Sequence, residues 1–223
     1  MKEEYYDFKV VNKPWGYEYV AYRNKKILSL AYLKINYKNK TSLHCHPNKK
    51  TGFILLKGKA KIQLGFDKSI ICAAPEKIMI RSGLFHSIEA ISKTGIIALE
   101  FETPVIKNDL VRYYDKYGRQ KKPYEGKSFF INKEDIIKFK TPKVGKKIYY
   151  LIGKSKVLIE TFKDIKKVLK KNPKYIIAIL KGSLVNEKKQ KVLSEGDIVR
   201  VPTIEKLSKK FRIRTSITTM TVF

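Results

Sequence analysis

Residues 42–58 read SLHCHPNKKTGFILLKG, and residues 80–86 read IRSGLFH. Together they hold all three histidines of the chain: His44, His46 and His86. On a strand, side chains at i and i+2 point to the same face, so His44 and His46 share one face and Cys45 takes the other. A third imidazole brought alongside by a barrel gives three nitrogen ligands with coordination positions left open. That is the arrangement of a catalytic metal site and not of a closed structural one.

Outward from these segments the dominant period is two. Short apolar runs such as KILSLAYLKIN, AKIQLG, EKIMIRSG and GIIALEFE are separated by Gly, Pro, Asn or Lys clusters. Regular short strands with frequent turns predict an all-β barrel or sandwich. Residues 108–127, NDLVRYYDKYGRQKKPYEGK, break the rhythm and read as a connector docked on the first barrel. Within it, Arg112 and Asp115 are candidates for a structural pair, with Tyr117 and Gly118 shaping a turn.

From residue 147 the strand signals start again. KYIIAILKGSLVNEKKQKVLSEGDIVRVPT repeats the order of TGFILLKGKAKIQLGFDKSIICAAPEKIMIRSG. The alignment sets Leu180-Lys181-Gly182 on Leu56-Lys57-Gly58, and Asp197-Ile198-Val199-Arg200 on Lys77-Ile78-Met79-Ile80. An internal repeat of this kind predicts two related barrels. The second copy has no histidine, so it cannot hold a metal in the same way. Between the copies, TFKDIKKVLKKNP (residues 161–173) has helical spacing at Phe162, Ile165, Val168 and Leu169 and ends at Asn-Pro. One short amphipathic helix is expected there, capped by Thr161 or Asp164.

The segment HCHPNKKTGFILLKG resembles the first cupin motif: His-x-His, three or four residues, usually Glu, then six residues and Gly. RSGLFH resembles the second, usually Pro-x-Gly-x-x-His. KPWGYE (residues 13–18) and NDLVRYYDKYGR (residues 108–119) are similar to the two flanks of the cupin module of type II mannose-6-phosphate isomerases. That resemblance spans residues 13–119. It implies an all-β double-stranded β-helix (jelly-roll) fold. With the repeat, it implies a bicupin: a metal-binding barrel with its connector over residues 1–125 and a degenerate, histidine-free barrel over 126–223. It also implies His44, His46 and His86 as metal ligands, and substrate contact or catalytic support from Glu100, Glu102 and Arg112. Two positions depart from the pattern: Thr51 stands where the motif usually carries glutamate, and Arg81 where it usually carries proline. The nucleotidyltransferase domain that usually accompanies the module has no counterpart here.

Glu100 and Glu102 share one face of IIALEFETP by strand alternation and are the candidate general bases. Both carboxylates also have the alternative of pairing with surface lysines. The planar donor fork of Arg112 suits a phosphate, and Lys50 and Lys57 are candidate partners for a phosphate or nucleotide diphosphate. The expected cofactor is a divalent metal ion. Three imidazoles suit zinc, iron, nickel, manganese or copper with little discrimination. The expected role is a metal-dependent sugar-phosphate isomerase of carbohydrate metabolism. The alternatives are a nucleotide-sugar epimerase and a non-catalytic sugar-binding or regulatory module.

Composition narrows the partners. The formal net charge is +29, yet the lysines are dispersed and no helix-turn-helix, zinc-finger or RNA-recognition pattern accompanies them. They read as solvated faces that also steer an anionic substrate, and not as a nucleic-acid interface. No apolar run reaches the roughly 18 residues of a membrane span, and residues 1–16 have no apolar core of a signal peptide. Two cysteines fit a reducing compartment. The expectation is a cytoplasmic protein, homodimeric, that binds a small sugar phosphate or nucleotide sugar and neither a membrane nor nucleic acid.

Overall fold

The computed structural model describes residues 9–106, 108–120, 129–130 and 136–223. Apolar alternation and turn residues build eleven strands before the connector: β1 (Val10–Lys13), β2 (Gly16–Asn24), β3 (Leu28–Ile35), β4 (Leu43–Cys45), β5 (Lys50–Lys57), β6 (Lys59–Leu64), β7 (Lys68–Ala73), β8 (Glu76–Ile80), β9 (His86–Ala90), β10 (Ile96–Thr103) and β11 (Val111–Tyr114). After β12 (Phe129–Phe130) come β13 (Lys147–Ile152), β14 (Ser155–Phe162), α1 (Lys166–Leu169), β15 (Ile176–Lys181), β16 (Leu184–Val185), β17 (Lys191–Leu193), β18 (Ile198–Arg200), α2 (Val201–Ser208), β19 (Arg212–Ile213) and β20 (Ile217–Val222). All the strand pairings are antiparallel. The fold is the double-stranded β-helix.

Among the described residues, four sheets lie in layers. A five-stranded sheet, β11-β4-β9-β6-β7, faces a seven-stranded sheet, β12-β1-β2-β3-β10-β5-β8. Between them Trp15, Leu33, Phe53, Ile62, Ile80, Ile88 and Ala98 form the interior of the first barrel. The opposite face of the seven-stranded sheet is covered as well. There Tyr19, Leu30, Ile54, Leu56, Leu99 and Phe101 pack with Val157, Ile159, Ile176, Ala178, Ile198 and Met220 of the sheet β13-β14-β20-β15-β18. A third cluster closes the far side of that sheet against α1, α2 and β16-β17-β19. Burial on both faces explains why TGFILL reads as a continuous apolar run: every residue from Thr51 to Leu56 is buried.

The internal repeat is visible in the strand order. β18-β15-β20-β14-β13 retraces β8-β5-β10-β3-β2. Gly58 and Gly182 end the matched strands β5 and β15 with φ of +84° and +87°. A Cβ on Gly58 would meet the Gly95 carbonyl oxygen at 2.5 Å, and one on Gly182 the Ser216 carbonyl oxygen at 2.3 Å. Only glycine fits either corner.

The helical expectation needs correction. Thr161 and Phe162 belong to β14, where the Thr161 hydroxyl pairs with that of Thr218 at 2.9 Å, so Thr161 caps nothing. The helix is the single turn Lys166–Leu169, and Asp164 Oδ1 accepts the Lys166 N–H at 2.9 Å. A second helix, α2, follows directly on β18 and has no counterpart in the sequence expectation. Pro202 sits in its first turn, and Val201 and Ile204 are buried in the third cluster. The two helices stand, in chain order, where the first half has β4 and the Arg81–Phe85 turn. Val168, Val201 and Ile204 of the two helices are buried in the third cluster.

Candidate metal centre

His44 sits on β4, His46 one residue beyond it, and His86 opens β9 directly opposite His44 in the ladder. The loop of the second motif is tied to the first by the Gly83 N–H, which donates to the His46 carbonyl at 2.8 Å. The three ring centroids lie 4.6–5.5 Å apart. One ligand atom from each histidine and a carboxylate oxygen of Glu100 all lie within 4.8 Å of one another. The structure brings the three histidines together, and β10 on the facing sheet places Glu100 beside them.

The hydrogen bonds settle the tautomers. His44 Nδ1 bonds the Ser42 carbonyl at 2.8 Å, His46 Nδ1 the Asp109 carbonyl at 2.6 Å, and His86 Nδ1 the Leu84 carbonyl at 2.9 Å. A carbonyl oxygen can only accept, so each Nδ1 carries the proton and each Nε2 a lone pair. The Nε2 atoms of His46 and His86 are buried and have no hydrogen-bond partner among the described residues. Leaving a buried acceptor unsatisfied costs about 1–3 kcal/mol, which a cation would offset. Burial lowers the pKa of all three rings, to about 4 for His86; the neighbouring imidazoles add to it for His44. Neutral imidazoles with converging lone pairs and a carboxylate are a fit donor set for a divalent ion.

The two glutamates differ. Burial raises the Glu100 carboxyl well above the usual carboxylate range; Glu102 and Glu18 push the same way, and Lys49 and Lys13 oppose them. Glu102 Oε1 lies 2.9 Å from Lys49 Nζ and 3.6 Å from His46 Nε2. Both carboxylates line a cavity of about 300 Å³ whose wall also includes Phe53, Arg23, Arg112 and Arg119.

Arg112 is beside the site, across the ladder from His44, and its Nε donates to Ser42 Oγ at 3.3 Å. Asp115 pairs with Arg119 at 2.7 Å, and Arg112 adds its charge to the same carboxylate. Lys50 and Lys57 are not among the residues lining the cavity. Lys50 ion-pairs with Asp197 at 2.5 Å, and Lys57 lies against Gly153. Parity explains Lys50: a Cβ on Gly52 would touch Ile198, so the Lys50–Gly52 side of β5 faces the second half, while Thr51 shares the inward side with Phe53 and Leu55, and Lys49 lines the cavity. Arg81 is exposed and also outside the cavity lining.

Two residues of the site have no place in the sequence expectation. Lys49 is only 4% exposed. Asp109 accepts the backbone N–H groups of Asn48 and Lys49 at 3.1 and 2.9 Å and the Asn48 side-chain amide at 2.9 Å. Burial pushes the Asp109 carboxyl up, but the donors from Asn48 and Lys49 outweigh it and hold it below its usual range. Counting parity back from Thr51 would have selected Lys49 over Lys50; Asp109 carried no local signal.

The sequence matches the model of the mannose-6-phosphate isomerase C-terminal family over residues 1–115, half of the chain. The chain belongs to that family. No curated protein matches the sequence of this member of the mannose-6-phosphate isomerase C-terminal family. Several solved structures are similar to parts of it. An uncharacterized conserved protein with a double-stranded β-helix domain from Klebsiella pneumoniae is 12% identical, with a TM-score of 0.41, over 44% of this chain and 84% of that one. KdgF from Halomonas sp. is 11% identical, with a TM-score of 0.39, over 46% of this chain and 91% of that one. A putative sugar phosphate isomerase from Acidithiobacillus ferrooxidans is 15% identical, with a TM-score of 0.33, over 34% of this chain and 50% of that one.

Proposed function

We propose that this cupin is a metal-dependent isomerase acting on a sugar phosphate, with His44, His46, His86 and Glu100 as the metal-binding set. One observation carries the reading: a ligand atom from each of three histidines and a Glu100 carboxylate oxygen lie within 4.8 Å of one another, beside a cavity whose wall holds His44, His46, Glu100 and cationic side chains. A divalent ion held there supplies Lewis-acid polarisation of the substrate's neighbouring carbonyl and hydroxyl oxygens. Aldose–ketose isomerisation moves a proton between adjacent carbons. Glu102 lies outside the four-residue cluster, lines the cavity and stands 3.6 Å from His46 Nε2, and it is assigned as the base that moves that proton. Arg112 and Arg23 line the same cavity and suit the anionic end of the substrate. Trp15 and Phe53, both buried, exclude water from one wall.

The second half has its own place in this reading. We assign it as a degenerate cupin barrel that covers the outer face of the first, its metal-bearing segments replaced by α1 and α2. The experiment is elemental analysis of the purified protein, then turnover on a panel of aldose and ketose phosphates before and after chelation. Bound metal with chelator-sensitive interconversion supports the proposal. Bound metal with ligand affinity but no turnover on any panel member converts it to a binding module, and absence of any divalent metal affinity removes it.

A further inference from the structure

The family pattern explains a metal-ligating carboxylate, but this site holds two, on one face of one strand. Glu100 joins the histidine cluster and Glu102 does not. The difference between them is Lys49. Its Nζ lies 2.9 Å from Glu102 Oε1. Its main chain is fixed by Asp109, which accepts the Lys49 N–H at 2.9 Å and both N–H groups of Asn48. Asp109 also receives His46 Nδ1 on its carbonyl. One residue therefore anchors both a histidine of the cluster and the lysine that grips the second glutamate. Glu102 Oε1 is 3.6 Å from the His46 Nε2 lone pair, which does not attract it, and 2.9 Å from Lys49 Nζ, which does.

We infer that Lys49 is a positioning residue that keeps Glu102 from becoming a metal ligand, leaving it available to the substrate. The inference rests on the metal reading above. The ammonium sits on the oxygen that would otherwise swing to the cation, and a part-buried charge-assisted hydrogen bond is strong enough to compete with ligation. The spacing of the two glutamates alone would let both ligate, because alternation puts them on one face. Lys49 converts two equivalent carboxylates into one ligand and one reactive group.

The test uses cobalt(II) as the probe in the full chain, read by visible absorption and by titrated affinity. Wild type and Lys49→Arg are expected to share one spectrum. Lys49→Met frees Glu102 to ligate, so its band shifts and cobalt binds about tenfold tighter. Glu102→Gln in the Lys49→Met background returns the wild-type band. Tighter binding by Lys49→Met with an unshifted band means that only a positive charge was removed, and overturns the inference. Glu102→Gln alone keeps the lysine and is expected to leave the band unchanged; a shift there shows that Glu102 already ligates and overturns it too, even if Lys49→Met does not fold. Wild type that takes up no cobalt removes the metal reading and this inference with it, whereas uptake without the expected shift removes this inference alone.

Discussion

Thr51 and Glu102 face each other across the ladder between β5 and β10. Position 51 is where the first histidine motif usually offers a carboxylate, and here it offers a buried hydroxyl. The acids stand one strand over, Glu102 opposite Thr51 and Glu100 opposite Phe53. A cross-strand neighbour on the same face reaches much the same volume as the residue it faces. The donor set is thus kept in kind while its acidic member changes strand.

Thr51 is 1% exposed and its Oγ1 has no hydrogen-bond partner among the described residues. Thr51→Val removes an unsatisfied hydroxyl at nearly constant volume. It is expected to leave metal content unchanged and to be neutral or stabilising by about 1 kcal/mol in urea unfolding. Loss of metal in this variant would make Thr51 a ligand.

Glu100 couples stability to pH. Its folded pKa is raised above the unfolded value, mainly by burial. Its contribution to stability is complete below the unfolded pKa and is lost as pH rises through the folded one. Glu100→Gln is therefore expected to raise the Tm of the chelated protein at neutral and alkaline pH, by about 2–4 °C for each kcal/mol regained, and to flatten that part of the profile. The same variant is expected to bind metal more weakly. A chelated Tm profile identical to wild type would contradict the buried carboxyl.

The histidines act in the opposite direction. Their folded pKa values lie below the unfolded value near 6.5, that of His86 at about 4. Stability from keeping them neutral is complete above 6.5 and is lost as pH falls towards 4. A saturating divalent ion at about 100 times its Kd adds about 2.7 kcal/mol at neutral pH, or roughly 5–11 °C in Tm. That increment is expected to shrink steadily below pH 6.5 as protons and metal compete for the Nε2 atoms. In His86→Ala the metal-dependent rise in Tm is expected to disappear. Calorimetry with and without chelator across pH 4–8 measures both.

The histidine trio and the barrel are legible in the sequence because they depend on local spacing: i, i+2 on one strand, then a glycine turn before His86. The repeat is legible for the same reason, since Gly58 and Gly182 mark matched corners. Lys49 is not, because three residues of Asn-Lys-Lys look alike until the inward face of β5 is fixed by what lies on either side of it. Asp109 is not, because its donors are main-chain groups sixty residues earlier in the chain. α2 is hidden by β-branched residues that favour a strand. The third apolar cluster pulls Val201 and Ile204 into a helix instead, and tertiary burial overrides the local preference.

Asp109→Ala tests the anchor. The change strands the backbone N–H groups of Asn48 and Lys49 and is expected to cost about 2–3 kcal/mol of stability. Because the segment that carries His46 loosens, metal affinity is expected to fall by about tenfold. Equilibrium unfolding and a metal titration read the two effects separately. Unchanged affinity with reduced stability would confine Asp109 to a structural role.

The last prediction concerns the two halves. Sheet β12-β1-β2-β3-β10-β5-β8 has one face on the histidine-bearing barrel and the other in a cluster shared with β14, β15 and β20. Ser155 Oγ donates to the Leu56 carbonyl at 2.7 Å inside that contact, and Arg200 pairs with Glu76 at 2.6 Å at its edge. Two halves joined through a continuous apolar layer unfold together. The full chain is expected to show one calorimetric transition whose van't Hoff and calorimetric enthalpies agree. A chain cut after residue 125 leaves Tyr19, Leu30, Ile54, Leu99 and Phe101 facing water, and an apolar sheet face of that size is expected to aggregate. Two separated transitions, or a stable monomeric fragment 1–125, would show instead that the first barrel needs no cover and that the second half is present for another reason.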